Sequence, residues 1–261
     1  NHCLLTINKF SGGRQFISGN RCERGLGKEK TNKDIPNLYE YKNKRLFAHY
    51  KPLPAEKAYR GKVGIPRVLN MYENYPFWAT FFRELGFRVV LSPKSNRKIY
   101  ELGMESIPSE SECYPAKLSH GHVQWLINEG IKTIFHPCVF YEHQETPGAQ
   151  NHYNCPIVVS YPENLKNNVE AVADGEVRYI RPFLAFTSEK IAADRLAALC
   201  KEEWGIDGKE VRAAVHKAWE EQQRAKADIR AAGARALAEM EKNEVRWEEV
   251  DCEDAELVIT A

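Results

Sequence analysis

The sequence predicts an α/β fold: a parallel sheet flanked by helices, with a helical C-terminal extension. Three observations predict it. Between residues 61 and 187, short apolar runs of strand length alternate with segments of helical period. One strand, helix and strand fit within about thirty residues, which implies a parallel pair with a right-handed crossover. From Ser188 onward the chain is rich in Ala, Glu, Lys and Arg and reads as helix.

Taken in order, Ile7 to Ile17 is interrupted by Gly12-Gly13 and predicts a hairpin. SGNRCERGLGKEKTNKD reads as a loop, because Gly, Asn and charge crowd out any apolar period. The tyrosine-rich stretch before Gly61, broken by Pro52 and Pro54, reads as an irregular lead-in, so residues 1–60 form a first section. VGIPRVLNM suits a buried strand. In NYPFWATFFRELGF, Phe77, Phe81, Phe82 and Leu85 recur at helical spacing and Gly86 stops the helix, after which FRVVLS is a second strand. Tyr114 to Glu129 predicts a helix that ends at Gly130 and leads into the strand KTIFHP. PIVVSY reads as a further strand, with Pro162 opening a helix in its first turn, and VRYIRPFLAF as another strand. Together these make residues 61–187 a Rossmann-like sheet domain, whose ligands belong at the carboxyl ends of its strands. In SEKIAADRLAALCKEEWG, Ser188 caps a helix, and a long helical pattern follows Gly205. The closing ELVITA looks like half a strand, so 188–261 reads as a helical extension leading to a truncated further lobe.

The composition, with 43% hydrophobic and 28% charged residues, is that of a soluble globular chain. A net charge of +1 gives no whole-chain footprint for nucleic acid or membrane. No apolar run approaches the roughly 20 residues that span a bilayer. The start lacks the features of a signal peptide, so the chain reads as cytoplasmic. Its first residue is Asn1 rather than Met, which points to a piece of a longer polypeptide. There is no GxxxxGK[ST], and no GxGxxG follows a strand, so neither ATP hydrolysis nor dinucleotide binding is indicated by motif.

Seven cysteines is an odd number, which favours metal-binding or free thiols over a disulfide framework. Cys113, in SECYPAK, lies where a helix begins, a setting that lowers a thiol's pKa; its other reading is a half-buried packing residue. Cys138 follows His136-Pro137 at a strand end, and Cys155 precedes Pro156; each can equally be structural. On loops of one sheet the three can converge on a metal cluster, with Cys22 or a non-cysteine group as fourth ligand. No CxxC pair occurs, which argues against a zinc ribbon and a thioredoxin-type site. Cys3, Cys200 and Cys252 look incidental. In SHGH, His120 and His122 fall on different helix faces, and the plain reading of His120 is a partly exposed polar residue. Lys117 stands one turn from Cys113. Glu142 and His143 read as solvated loop residues.

SGNRCERG, IPRVLNMYENYPFWATFFRELGFRVVLS, ESECYPAKLSHGH, FHPCVFYE and NCPIVVSYPE resemble the acyl-CoA dehydratase activase-related proteins. These are large anaerobic proteins with a region similar to the 2-hydroxyglutaryl-CoA dehydratase subunit, and the likeness runs from about residue 14 to about residue 235. The resemblance implies an iron–sulfur cluster, [4Fe–4S] or a related larger one, held by Cys113, Cys138 and Cys155, with Cys22 in the matching SGNRCERG motif. It implies activase-type ATPase modules as partners, in the same polypeptide or in trans, and admits an acyl-CoA and a homodimer. The expected function is therefore the cluster-binding part of an ATP-driven, low-potential electron-transfer system related to 2-hydroxyacyl-CoA dehydratases. The rivals are a non-catalytic α/β scaffold that docks to ATPase modules, and a structural zinc site.

Overall fold

The computed structural model describes residues 5–12, 14–19 and 37–242. The NRCERG part of SGNRCERG, with Cys22, as well as Cys3, Cys252 and the expected ELVITA strand, lie outside the described residues. The chain divides into two compact units, one of Lys42–Asp228 and one of Asn1–Tyr41 with Ile229–Ala261. In the smaller unit, β1 (Thr6–Lys9) and β2 (Gln15–Ser18) form the expected antiparallel hairpin, with Ile7 opposite Ile17. Gly12 turns it at φ +83°, a backbone conformation that side chains resist.

The larger unit is built on a four-stranded parallel sheet. β3 (Lys62–Ile65) pairs with β4 (Arg88–Leu91) on one side and β5 (Thr133–Phe135) on the other, and β5 pairs with β7 (Arg178–Ile180). The strand order is therefore β4-β3-β5-β7, and the chain reverses direction across the sheet between β3 and β5. Val63, Gly64 and Ile65 are all buried, as expected of a strand covered on both faces. Beyond the sheet, β6 (Cys138–Tyr141) runs parallel to β8 (Phe183–Ala185). Each continues a main-sheet strand after a proline, Pro137 or Pro182. The ladder crosses the break, since His136 N–H donates to Ile180 O and Cys138 N–H to Pro182 O, both at 2.9 Å. The run VRYIRPFLAF, expected as one strand, is thus two, because Pro182 has no donor with which to continue.

One face of the sheet is covered by α4 (Tyr114–Asn128), α5 (Pro156–Asn168) and α6 (Glu170–Ala173), around Val123, Leu126, Ile134, Tyr161 and Leu165. The other face is aromatic. On α2 (Met71–Glu84), Trp78 packs on Phe135 at 4.7 Å and Phe82 on Trp204 of α7 (Glu189–Trp204) at 6.2 Å. Trp219 of α8 (Gly208–Lys242) closes the layer by stacking on Phe186. Fully burying each such ring contributes about 1.5–3 kcal/mol. Ser188 caps α7 as expected, its hydroxyl accepting from Ile191 N–H at 3.3 Å.

Two expectations are corrected. PIVVSY is the first part of α5 and not a strand: Cys155 is its N-cap, Pro156 takes the first-turn position and Pro162 lies inside the helix. The run Ile157-Val158-Val159 has strand propensity, but β6 already fills the sheet position, and tertiary context decides. The lead-in is not irregular throughout, for α1 (Leu38–Asn43) and a π-helical turn (Lys44–Ala48) form there and bury Leu46 and Phe47. Among the described residues, no helix is long and apolar enough to cross a membrane.

α2 carries an interior proline, Pro76, which breaks its hydrogen-bond ladder. The break is filled from α8. The Gln222 amide accepts from Phe77 N–H at 3.1 Å and donates to Glu73 O at 2.7 Å, standing between the two groups that would otherwise bond. α8 is held nearby by a buried network, in which Arg45 donates to Glu221 at 2.9 Å and to Asp228 at 2.7 Å.

Candidate functional site

The reversal between β3 and β5 marks the carboxyl edge of the sheet as the place where such folds bind ligands. The loop leaving β3 turns through Leu69, whose φ of +50° is unusual for a residue with a side chain. That turn starts α2 at Met71. Arg67 N–H donates to Ser92 Oγ at 2.7 Å, joining the ends of β3 and β4. Ser92 also bonds His122 Nδ1 at 2.7 Å, and Ser95 bonds its Nε2 at 2.9 Å. At the end of β5, His136 Nδ1 meets the Tyr179 hydroxyl at 2.9 Å. Burial drives His122 down to about 4, with the Arg67 charge adding to it, and drives His136 down to about 3. Both are neutral at physiological pH, so they orient hydrogen bonds and carry no charge.

His120 is also buried, which corrects the expectation of partial exposure. The reason lies next to it. α3 (Arg97–Gly103) crosses α4 at Gly121 so closely that a Cβ there would stand 1.7 Å from Ile99 O, and one at Gly103 would stand 2.2 Å from Gly121 N. The SHGH motif thus seats one helix on another and turns its histidines inward. His120 Nε2 lies 2.9 Å from the Tyr161 hydroxyl, and its Nδ1 lies 2.7 Å from Ser106 Oγ. Tyr161 donates to Glu112, which also accepts from Asn164 Nδ2 at 3.2 Å. With Tyr161 donating to Glu112, its oxygen accepts from His120 Nε2–H, while the Ser106 hydroxyl lies between His120 Nδ1 and Gly103 O, the latter at 3.0 Å. Ser106, His120, Tyr161 and Glu112 form one hydrogen-bonded chain, ending at the residue before Cys113. Burial holds His120 near 4 against the opposing charge of Glu112.

The cysteines are placed unequally. Cys113 is the N-cap of α4 and Cys155 the N-cap of α5, and both are exposed. The Tyr161 and Asn164 bonds to Glu112 tie these two helices together. Cys138 opens β6 and is fully buried beside Glu163 and Arg181; burial pushes its thiol up to about 12. Such a thiol stays protonated, as does that of Cys200 on α7, also pushed to about 12 by burial. Among the described residues, no three His, Cys, Asp or Glu side chains form a group able to hold a metal ion. Cys113, Cys138 and Cys155 as described do not by themselves complete a cluster site. Lys117, one turn from Cys113, donates to Glu110 O at 2.6 Å.

One site residue escaped the sequence reading. Glu142, expected to be solvated, accepts from Asn154 Nδ2 at 2.8 Å and from Asn74 Nδ2 at 3.1 Å. Burial raises its pKa, although the surrounding amides and Lys226 favour its charged form. The signal available was the asparagines of VLNMYEN and NHYN, a residue type able to donate to a carboxylate.

A model of the family described as CoA enzyme activase uncharacterised domain (DUF2229) matches residues 62–259. The chain belongs to that family. No curated protein and no solved structure registers as a match to it. The CoA enzyme activase match opens at the first residue of β3, so it takes in the whole parallel sheet, the SHGH crossing, Glu142 and the three cysteines of the carboxyl edge. The hairpin and Cys22 precede it. The chain is thereby related to acyl-CoA dehydratase activase systems, as the motifs led one to expect.

Proposed function

We propose that this chain is the cluster-carrying part of an ATP-driven, low-potential electron-transfer system related to 2-hydroxyacyl-CoA dehydratases, and that Cys113 and Cys155 donate thiolates to an iron–sulfur cluster. The observation that carries the reading is that two exposed thiols cap α4 and α5, helices tied to each other through Glu112. Exposed at the surface, both thiols are accessible to iron, whereas Cys138 is buried. Further donors must come from elsewhere, Cys22 among them, and Cys138 joins only if its surroundings open. Activase-type ATPase modules are the proposed partners, and an acyl-CoA the proposed substrate class.

Anaerobic purification with iron and sulfide analysis tests this, with EPR of the reduced protein. Cys113→Ser and Cys155→Ser are each expected to lose most of the bound iron, and Cys138→Ser to retain it. A protein that binds neither iron nor sulfide refutes the proposal and leaves the scaffold reading. Stoichiometric zinc in a colourless protein makes the site structural.

A further inference from the structure

A second feature lies among residues that none of the cysteine-bearing loops supplies. A groove of about 320 Å³ runs between α2, α8 and the segment 49–51. Lys51, Arg83, Lys217 and Arg224 line it together with Glu84, Glu220 and Glu221. The carboxylates are already engaged. Glu84 takes Lys217 at 2.6 Å, and Glu220 faces His216 at 3.6 Å. Glu221 accepts from Arg45 at 2.9 Å and from the Tyr50 hydroxyl at 2.7 Å; although burial opposes its charge, these bonds keep it below the usual carboxylate range. Arg224 gives one Nη1 bond of 2.8 Å to the same carboxylate and keeps the rest of its fork. The side chains of Lys51 and Arg83 make no hydrogen bond or ion pair among the described residues.

We propose that this groove binds a phosphate-bearing small ligand, of diphosphate or nucleotide size, through Lys51, Arg83 and Arg224. Three cations from three separate elements suit an anion with acceptors in several directions. A single carboxylate is already satisfied by one guanidinium fork, whereas a phosphate offers three oxygens. The volume is at the low end of the roughly 300–1,000 Å³ of small-molecule pockets and exceeds what one phosphate fills. Two effects oppose the ligand: Glu84, Glu220 and Glu221 share the lining, and Arg83 lies in the last turn of α2, whose negative end carries about half an elementary charge. Against them stand Lys51, Arg83, Lys217 and Arg224, with Arg45 also bound to Glu221. The groove is independent of the cluster reading, and neither result decides the other.

The test uses inorganic pyrophosphate on the full chain, by titration calorimetry and by thermal unfolding, against sodium chloride at equal ionic strength. Saturable binding near one equivalent is expected, with a rise in Tm of a few degrees that chloride does not give. Lys51→Ala and Arg83→Ala are each expected to weaken binding about tenfold without lowering the ligand-free Tm, since neither side chain makes a described bond. Lys98→Ala on α3 is expected to bind as the parent does. Absence of saturable pyrophosphate binding, or equal affinity in the Lys51→Ala/Arg83→Ala double variant, overturns the proposal.

Discussion

Gly121→Ala is the sharpest probe of the packing that positions the site. In the interior of an unobstructed helix this change stabilises by about 1 kcal/mol through helix propensity. Here the new Cβ would lie 1.7 Å from Ile99 O and 2.6 Å from the Ile99 carbonyl carbon. An ordinary C···O approach is about 3.3 Å, so α3 must retreat by roughly 1.6 Å, and backbone cannot rotate aside as a side chain can. Overpacking costs about 1–3 kcal/mol, and lifting buried Ile99 from its contacts adds to that. The propensity gain offsets only part, leaving a net loss of about 2–4 kcal/mol. At 2–4 °C per kcal/mol for a unit of this size, Tm should fall by about 5–15 °C. Differential scanning calorimetry and urea unfolding measure it. Gly64→Ala is the comparison, since the atoms nearest its Cβ belong to the side chains of Ile131 at 2.9 Å and Leu126 at 3.2 Å, and a loss near 1 kcal/mol is expected. A Gly121→Ala protein within 2 °C of the parent would refute the crossing.

Acid should destabilise the fold through its buried histidines. His120, His122 and His136 fall to about 4, 4 and 3 in the folded chain, so between pH 6.5 and those values the unfolded chain binds protons that the folded one refuses. Their stability contribution is complete above pH 6.5 and is lost as pH falls, on the order of 1–2 kcal/mol for each by pH 5; urea midpoints flat between pH 7 and 5 would contradict this. Glu221→Gln leaves buried Arg45 without its central carboxylate and should cost about 3 kcal/mol, read as a lower urea midpoint at unchanged slope. Tyr161→Phe cuts the chain from His120 to Glu112. It should cost about 1–3 kcal/mol and raise the His120 pKa toward its ordinary value as water enters, which histidine NMR titration reports; an unmoved His120 would show that the hydroxyl does not join the two.

Much of the fold was legible because its signals are local. Phe77, Phe81, Phe82 and Leu85 lie at helical spacing and Gly86 does stop α2, at φ +77°. Cys113 was readable as a helix start because the segment from Tyr114 has a helical period that ends at Gly130. Where the sequence misled, a long-range relation decided. Ile157-Val158-Val159 looks like strand until Cys138–Tyr141 is seen to hold the sheet position. Glu142 looks like a loop acid because its partner Asn74 lies 68 residues away. SHGH suggested a partly exposed His120, for nothing local announces that α3 will press against Gly121.

Gln222 has a bearing on how the larger unit comes to be. It lies 145 residues after Phe77, whose amide it receives. While the chain is synthesised from its amino end, α2 emerges with an open rung at Pro76 and stays so until every strand of the sheet has followed. Autonomous helix growth cannot mend the gap, since the two groups are held apart by the proline they flank. The last helix of the unit thus completes the first one against the sheet, and folding must close over that whole span at once, a long-range step that slows assembly and makes it all-or-none.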